Sequence, residues 1–488
     1  MNLLAILPEI SLFLGALIIL MSDVFLGKKF KDFVYISHLL ALVFCSVAIC
    51  LVFKNFANVG LSFHEMFLNN FFTSLIKSVI LLLLTIVILF SFNFLFTIKQ
   101  ISAEFLALLM IAASGAMLLI SANDFLVFYL ALELQALSLY LLAALNRHSP
   151  KSSEAGMKYF ILGAAASGIL LFGISMIYTF SGTTNFTALS ALYIKGQSTI
   201  PVAVMFGFIL VLTAMFFKIS AAPFHMWAPD VYEGSPTIVT TFFATVVKFT
   251  TVLVLVRLFT SLLIGWNGID KIFVFVAMTS LAVGSFGAIR QKNIKRLLAY
   301  SSIGHVGFII LALAVRNQDA LASSTLYMVI YAVLSLGSFG FLNLIKSVSP
   351  EKSGHENDAE NDKIFEISSL SGLSKTNPIM AFSLAILMFS SAGIPPLAGF
   401  FSKFYVIMTA LSGGFLISSI LAVLFSVVSA YYYLRIVKTM YFDEPKEAVI
   451  KIDDILNIKI VIFITAVLNL IFVALLNPLL LVISNFSS

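Results

Sequence analysis

Among the ionisable residues inside stretches that are otherwise apolar are Glu133, the lysines Lys77, Lys158, Lys218, Lys248 and Lys403, and the histidines His225 and His305. A charged side chain near a bilayer centre costs at least about 2.5–3.5 kcal/mol on insertion scales, so each is a candidate functional group. Their types suit proton transfer. Burial and a neighbouring carboxylate act in opposite directions on a lysine's proton affinity, so a buried lysine can change charge. Histidine titrates nearest neutral pH. The stretch "KISAAPFHMWAPDVYEGSPT", Lys218 to Thr237, sets a lysine and a histidine beside Pro223 and Pro229.

Depth sorts these candidates. Glu133 is nine residues past Asp124, or about 14 Å along a helix, near a midplane. It is either a protonated carboxyl bonded to a neighbouring helix or a carboxylate paired with a lysine. Lys248, in "TIVTTFFATVVKFTTVLVLV", is about as deep, where an ammonium cannot easily snorkel. Lys218 closes the first half of one apolar run, and Lys403, in "SSAGIPPLAGFFSKFYVIM", follows a proline pair. Lys77 lies nearer a helix start and reads as a snorkelling residue. Lys158 has Glu154 one turn earlier, an ordinary i,i+4 pair. His225 sits in the proline stretch and His305 is mid-helix between glycines, where a satisfied core histidine is the alternative.

The elements that must position these groups are membrane helices. The chain has 488 residues, 60% hydrophobic and only 11% charged, against about 25% charged in soluble domains. Its mean hydropathy is +1.07. At about 20 apolar residues per crossing, about fourteen runs are present, the seventh and twelfth interrupted by proline. The predicted fold class is an all-α polytopic membrane protein. The start, "MNLLAILPEISLFLGALIILMSDVF", has no basic n-region and no cleavage-site pattern, so it reads as a retained first helix. One long polar segment, Ser347 to Gly372, separates helices eleven and twelve and has no domain of its own.

Basic residues are spread over short loops, which points to membrane orientation rather than nucleic-acid binding. With the N-terminus outside, nineteen basic residues fall in inside loops and five (Lys54, Lys195, Arg257, Lys271 and Arg316) in outside loops. Both termini are then expected on the outside of the membrane. Cys45 and Cys50 share one apolar helix without metal-site spacing, and no P-loop, GxGxxG or CxxCH pattern occurs. No nucleotide, haem, cluster or metal is expected in this chain.

The two proline breaks are five helices apart. Five is odd, so repeats built from helices four to eight and nine to thirteen run in opposite directions through the membrane, as in inverted-repeat transporters. The expected organisation is residues 1–100 as a three-helix N-terminal segment, 101–262 as one repeat, 268–445 as its inverted copy with polar loop 347–372, and 455–488 as helix fourteen. The repeat matches Lys218 with Lys403 and sets Glu133 opposite His305. Proline removes an N–H donor, and in lipid the freed backbone groups need protein or water.

Together "KISAAPFHMWAPDVYEGSPT", "QKNIKRLLAYSSIGHVGF" and "AGIPPLAGFFSKF" resemble the antiporter-like membrane subunits of proton-pumping NADH:quinone oxidoreductase, respiratory complex I, whose relatives include the multi-subunit sodium/proton antiporters. The stretches "PDVYEGSPT" and "FYLALELQALSLYLLAAL" point to one branch of the family, and the chain ends after helix fourteen without a lateral-helix extension. The resemblance implies that Glu133 pairs with Lys218, that Lys248 is the central lysine, and that Lys403 faces the exit side. It also ties His225 and Lys158 to the proton path. It implies no cofactor in this chain, with FMN, iron–sulfur clusters and quinone in other subunits. The implied partners are antiporter-like subunit M, the small membrane subunits and lipid. The alternative is a sodium/proton antiporter subunit without redox partners.

Overall fold

The computed structural model describes residues 3–484 except 28–32, 57–58, 98–101, 196–199, 264–265, 267, 348–362 and 445–449. Most of the polar loop 347–372 lies outside the described residues, as do Lys28, Lys29, Lys31, Lys99, Lys352 and Lys446 of the orientation count.

Backbone polar groups in hydrocarbon must be satisfied within the segment, which selects helices. Among the described residues, twelve unbroken helices are long and apolar enough to cross a membrane. They include helix one (Leu7–Ser22), two (Phe33–Asn55), three (Phe71–Thr97), four (Ser102–Ser121), five (Phe125–Ala143) and six (Pro150–Ser181). Two more crossings are made by half-helices. Helix seven comprises Val202–Lys218 and Trp227–Gly234, and helix twelve Pro378–Ala392 and Ala398–Ser412. Twelve of the fourteen expected apolar runs are thus unbroken helices among the described residues, and the seventh and twelfth are split into shorter helices. The prolines divide the work differently than the sequence suggests. Pro223 lies in the seventh break, whereas Pro229 sits in the first turn of the second half-helix, where no intrahelical N–H is lost.

Helix eight spans Thr237–Leu263 and its most apolar stretch is wholly buried; helices four, ten (Ile294–Leu313) and eleven (Asp319–Leu342) are 78–89% buried. Helices one, two, six, thirteen (Leu416–Tyr441) and fourteen (Leu456–Ser484) are only 33–39% buried over their most apolar stretches, and their exposed Leu, Ile and Phe side chains suit lipid. The buried helices carry Lys248 and His305. Polar caps begin several helices: Asp124 accepts from Leu126 N–H at 2.8 Å and Asn293 from Lys295 N–H at 2.9 Å. Helices nine (Ile269–Ile289) and ten approach closely, since a Cβ on Gly284 would collide with the Gly304 backbone nitrogen.

Among the described residues, two short ladders qualify the all-helical expectation. Strands β1 (Gly60–Ser62) and β2 (Phe67–Asn69) form an antiparallel hairpin between helices two and three. Strands β3 (Ile345–Ser347) and β4 (Ile450–Ile452) pair Ile345 with Ile452. Period-two runs this short give no sequence signal.

The chain forms two compact units. One holds Met1–Leu145, Gly156–Lys218 and Val246–Trp266; the other holds Asn146–Ala155, Ile219–Thr245 and Asn267–Ser488.

Candidate functional site

In the first unit, Lys218 ends the first half of helix seven and is 8% exposed. Its Nζ donates to the phenol oxygen of Tyr140 at 3.3 Å and lies 5.7 Å from that ring's centre. Glu133 lies on helix five with Tyr140, two helices before Lys218, and is half-buried. Its carboxylate accepts a short hydrogen bond from Ser167 on helix six, and Ser167 is also bonded to Tyr140. Glu133 and Lys218 are thus joined through Tyr140 and Ser167, and no direct ion pair within 4.0 Å links them among the described residues. Such a polar chain in low dielectric is worth more than its isolated contacts.

Lys248 is 3% exposed, at the first residue of the α-helical segment Lys248–Leu258. The preceding turn, Phe243–Val247, is a π-helix, a geometry frequent at functional sites. Lys158 is half-buried in helix six.

In the second unit the seventh break is closed by helix nine. Ala222 N–H donates to Ser280 at 2.9 Å, and Thr279 donates to the Ala222 carbonyl at 3.0 Å. His225 sits half-buried in this break. The twelfth break serves a lysine directly. Lys403, 6% exposed, donates to the carbonyls of Ser391 and Ala392, both at 2.9 Å, and to Ser426 at 3.0 Å. Those carbonyls end the first half-helix, where the last four have no intrahelical partner and the helix dipole favours a cation. The lysine is therefore placed where a broken backbone supplies its acceptors. Gly393 is fitted to the same place: its φ is +89°, and a Cβ there would lie 3.0 Å from Lys403 Cδ. Both breaks contain a cis X-Pro bond, Ala222–Pro223 and Pro395–Pro396.

His305 is 8% exposed. Its Nδ1 meets the Tyr327 hydroxyl at 2.8 Å and its Nε2 the Tyr433 hydroxyl at 3.0 Å. Lys403, His305 and Tyr433 line one small cavity.

Lys77 does not snorkel. It is 2% exposed and pairs with Glu9 of helix one at 2.6 Å, with its ammonium 4.6 Å above the Phe67 ring. Position near a helix start gave the depth but not the facing. Several basic residues assigned to loops are bonded helix-end groups instead. Arg257 donates to the Ile120 carbonyl. Lys295 donates to the Glu233 and Ser235 carbonyls at 3.0 and 2.6 Å, and Arg296 to Asp230 and Glu233 at 2.7 and 2.9 Å. Sequence reasoning also missed Glu9, Tyr140, Ser167, Tyr327 and Tyr433. Glu9 alone had a signal, as an acid inside an apolar run.

Residues 122–431 match the family described as NADH:quinone oxidoreductase/Mrp antiporter, transmembrane. The chain is 43% identical over 456 residues to NADH-quinone oxidoreductase subunit N of Paramagnetospirillum magneticum, covering 92% of this chain and 90% of the relative. It resembles a chain of respiratory complex I from Thermus thermophilus, solved with bound aureothin, with TM-score 0.79 and 26% identity, covering 97% of this chain and 98% of that one. A chain of the Mrp complex from Dietzia has TM-score 0.80 at 19% identity, covering 99% and 97%, and shares the fold.

Proposed function

Since the chain belongs to the NADH:quinone oxidoreductase/Mrp antiporter transmembrane family, we propose that it is the N-type proton-translocating membrane subunit of an NADH:quinone oxidoreductase. Electrons do not pass through it. FMN, iron–sulfur clusters and quinone belong to other subunits, and its neighbours are antiporter-like subunit M, the small membrane subunits and lipid.

The observation that carries this reading is the placement of two buried lysines, Lys218 and Lys403, at two helix breaks five crossings apart. Proton transfer needs groups that change charge inside low dielectric, with polar partners ready in both states. Glu133, Lys218, Lys248, His305 and Lys403 supply the groups, with His225 and Lys158 on the approaches. A redox step in neighbouring subunits alters the charge balance of Glu133 and Lys218; Lys248 and then Lys403 respond in turn. Helices four to eight and nine to thirteen act as inverted repeats, preceded by residues 1–100 and followed by helix fourteen. The excess of basic residues supports placing the segment after helix eleven in the cytoplasm and both termini in the periplasm.

The test is purification through a tag on this chain. A complex carrying FMN and iron–sulfur clusters, pumping protons into vesicles with NADH and quinone, is the expected result. An assembly without those centres that exchanges sodium for protons without NADH would make it an antiporter subunit instead.

A further inference from the structure

The second unit holds a polar chain that neither the lysines nor the breaks account for. His305 stands between two phenols, Tyr327 on Nδ1 at 2.8 Å and Tyr433 on Nε2 at 3.0 Å. The Tyr433 hydroxyl also makes a short hydrogen bond with Ser301. Both tyrosines are 1% exposed. A neutral imidazole has one N–H and one lone pair, so one phenol accepts from it while the other donates. A histidine that only needs satisfying can use a carbonyl, as His38 does with Ile88 at 2.9 Å. His305 instead has, on both sides, partners that donate and accept.

The Tyr433 side opens onto a cavity. Ser301, His305, Ser391, Lys403, Ser429 and Tyr433 are among its lining. Its space for water centres is about 10 Å³, close to the minimum for one water, and the polar lining supplies the partners a water needs.

We propose that Tyr433 passes the proton between His305 and Lys403, with one water in this cavity completing the path; this rests on the function proposed above. The transfer balances without a lasting phenolate. The Nε2–H bond of the imidazolium breaks as its proton binds the Tyr433 oxygen. The Tyr433 O–H bond breaks as that proton passes to the water, and the water gives one of its protons to the neutral Lys403 amine. The net change is one proton moved from imidazolium to amine. Tyr433 and the water end as they began and reset by rotation.

The experiment is Tyr433→Phe in the whole complex, with assembly checked by native electrophoresis, beside His305→Gln and Lys403→Met. The phenylalanine keeps the ring and removes only the hydroxyl. Quinone-coupled proton pumping is expected to fall on the order of tenfold or more, less than the hundredfold or greater loss typical of a primary acid or base. Wild-type pumping in Tyr433→Phe with slow His305→Gln and Lys403→Met complexes overturns the relay and leaves the proposed function standing. Wild-type pumping in all three overturns the function as well. Should Tyr433→Phe not assemble, 3-fluorotyrosine at position 433 keeps the shape and the hydroxyl while changing its acidity. The relay predicts an altered solvent deuterium isotope effect on turnover, and an unaltered one refutes it.

Discussion

Lys218 reaches Glu133 through Tyr140: the ammonium donates to the phenol at 3.3 Å, and Ser167, bonded to that phenol, donates to the carboxylate. Two charges that would each be costly alone share an electrostatic environment without being fused into one contact. That separation leaves room for the balance between them to change, which a tight ion pair would resist.

The first prediction tests the bridge. Glu133→Gln and Lys218→Met, measured singly and together on proton pumping in assembled complexes, should be non-additive by about 0.5–3 kcal/mol. Repeated in a Tyr140→Phe background, the coupling should shrink toward zero. Coupling of the same size without the phenol hydroxyl would mean that the two charges interact through space and that Tyr140 is only packing.

A second prediction concerns Lys248, buried at the π-turn of helix eight. Lys248→Met should lower pumping and quinone reduction together, because the two are coupled. Lys248→Arg should also impair both, since a guanidinium does not deprotonate in proteins. Full pumping by a stably assembled Lys248→Arg complex would rule out charge cycling at this position.

The broken helices were legible because proline acts locally: a missing N–H at Pro223 or Pro395 is written in the residue itself. Lys248 and Lys403 were legible because a lysine deep in an apolar run has few bland explanations. The connections were not. Tyr140, Ser167 and Tyr433 are ordinary residues in apolar helices until tertiary packing brings another polar group against them. Lys77 shows the limit most directly. Distance from a helix start estimates depth, but the partner, Glu9, lies 68 positions away in the chain, and only packing decides whether a long side chain turns outward or inward.

The third prediction uses the twelfth break. Gly393 has φ +89°, and a Cβ there would press on Lys403. Gly393→Ala is expected to cost about 1–2 kcal/mol through the left-handed backbone alone and to displace the lysine from the Ser391 and Ala392 carbonyls. Pumping should then fall in complexes that still assemble. Wild-type pumping from Gly393→Ala would show that the lysine tolerates movement and that its seat on the break is incidental.

Orientation gives the fourth. Asp454 is almost fully exposed, paired with Lys459 at 2.6 Å just before helix fourteen. The proposed topology puts this end of helix fourteen on the cytoplasmic side. A cysteine at Asp454, in a background where Cys50 is replaced by serine, should resist a membrane-impermeant thiol reagent applied to intact cells and react after lysis. Ready labelling from outside would invert the proposed topology.

The last concerns Glu9 and Lys77, both 2% exposed and 2.6 Å apart. Their partners are helix one, helix three and the Phe67 ring of the hairpin, so the pair fastens the N-terminal helices to one another. Removing one member of a buried pair leaves an uncompensated charge and typically costs about 3–5 kcal/mol, whereas replacing both with apolar residues of similar volume is often neutral. Glu9→Leu or Lys77→Met alone should therefore lower the yield of assembled complex sharply. The double change Glu9→Leu with Lys77→Met should recover assembly and pump at the normal rate per complex. Recovery of assembly without recovery of pumping would instead place this pair among the groups that carry protons.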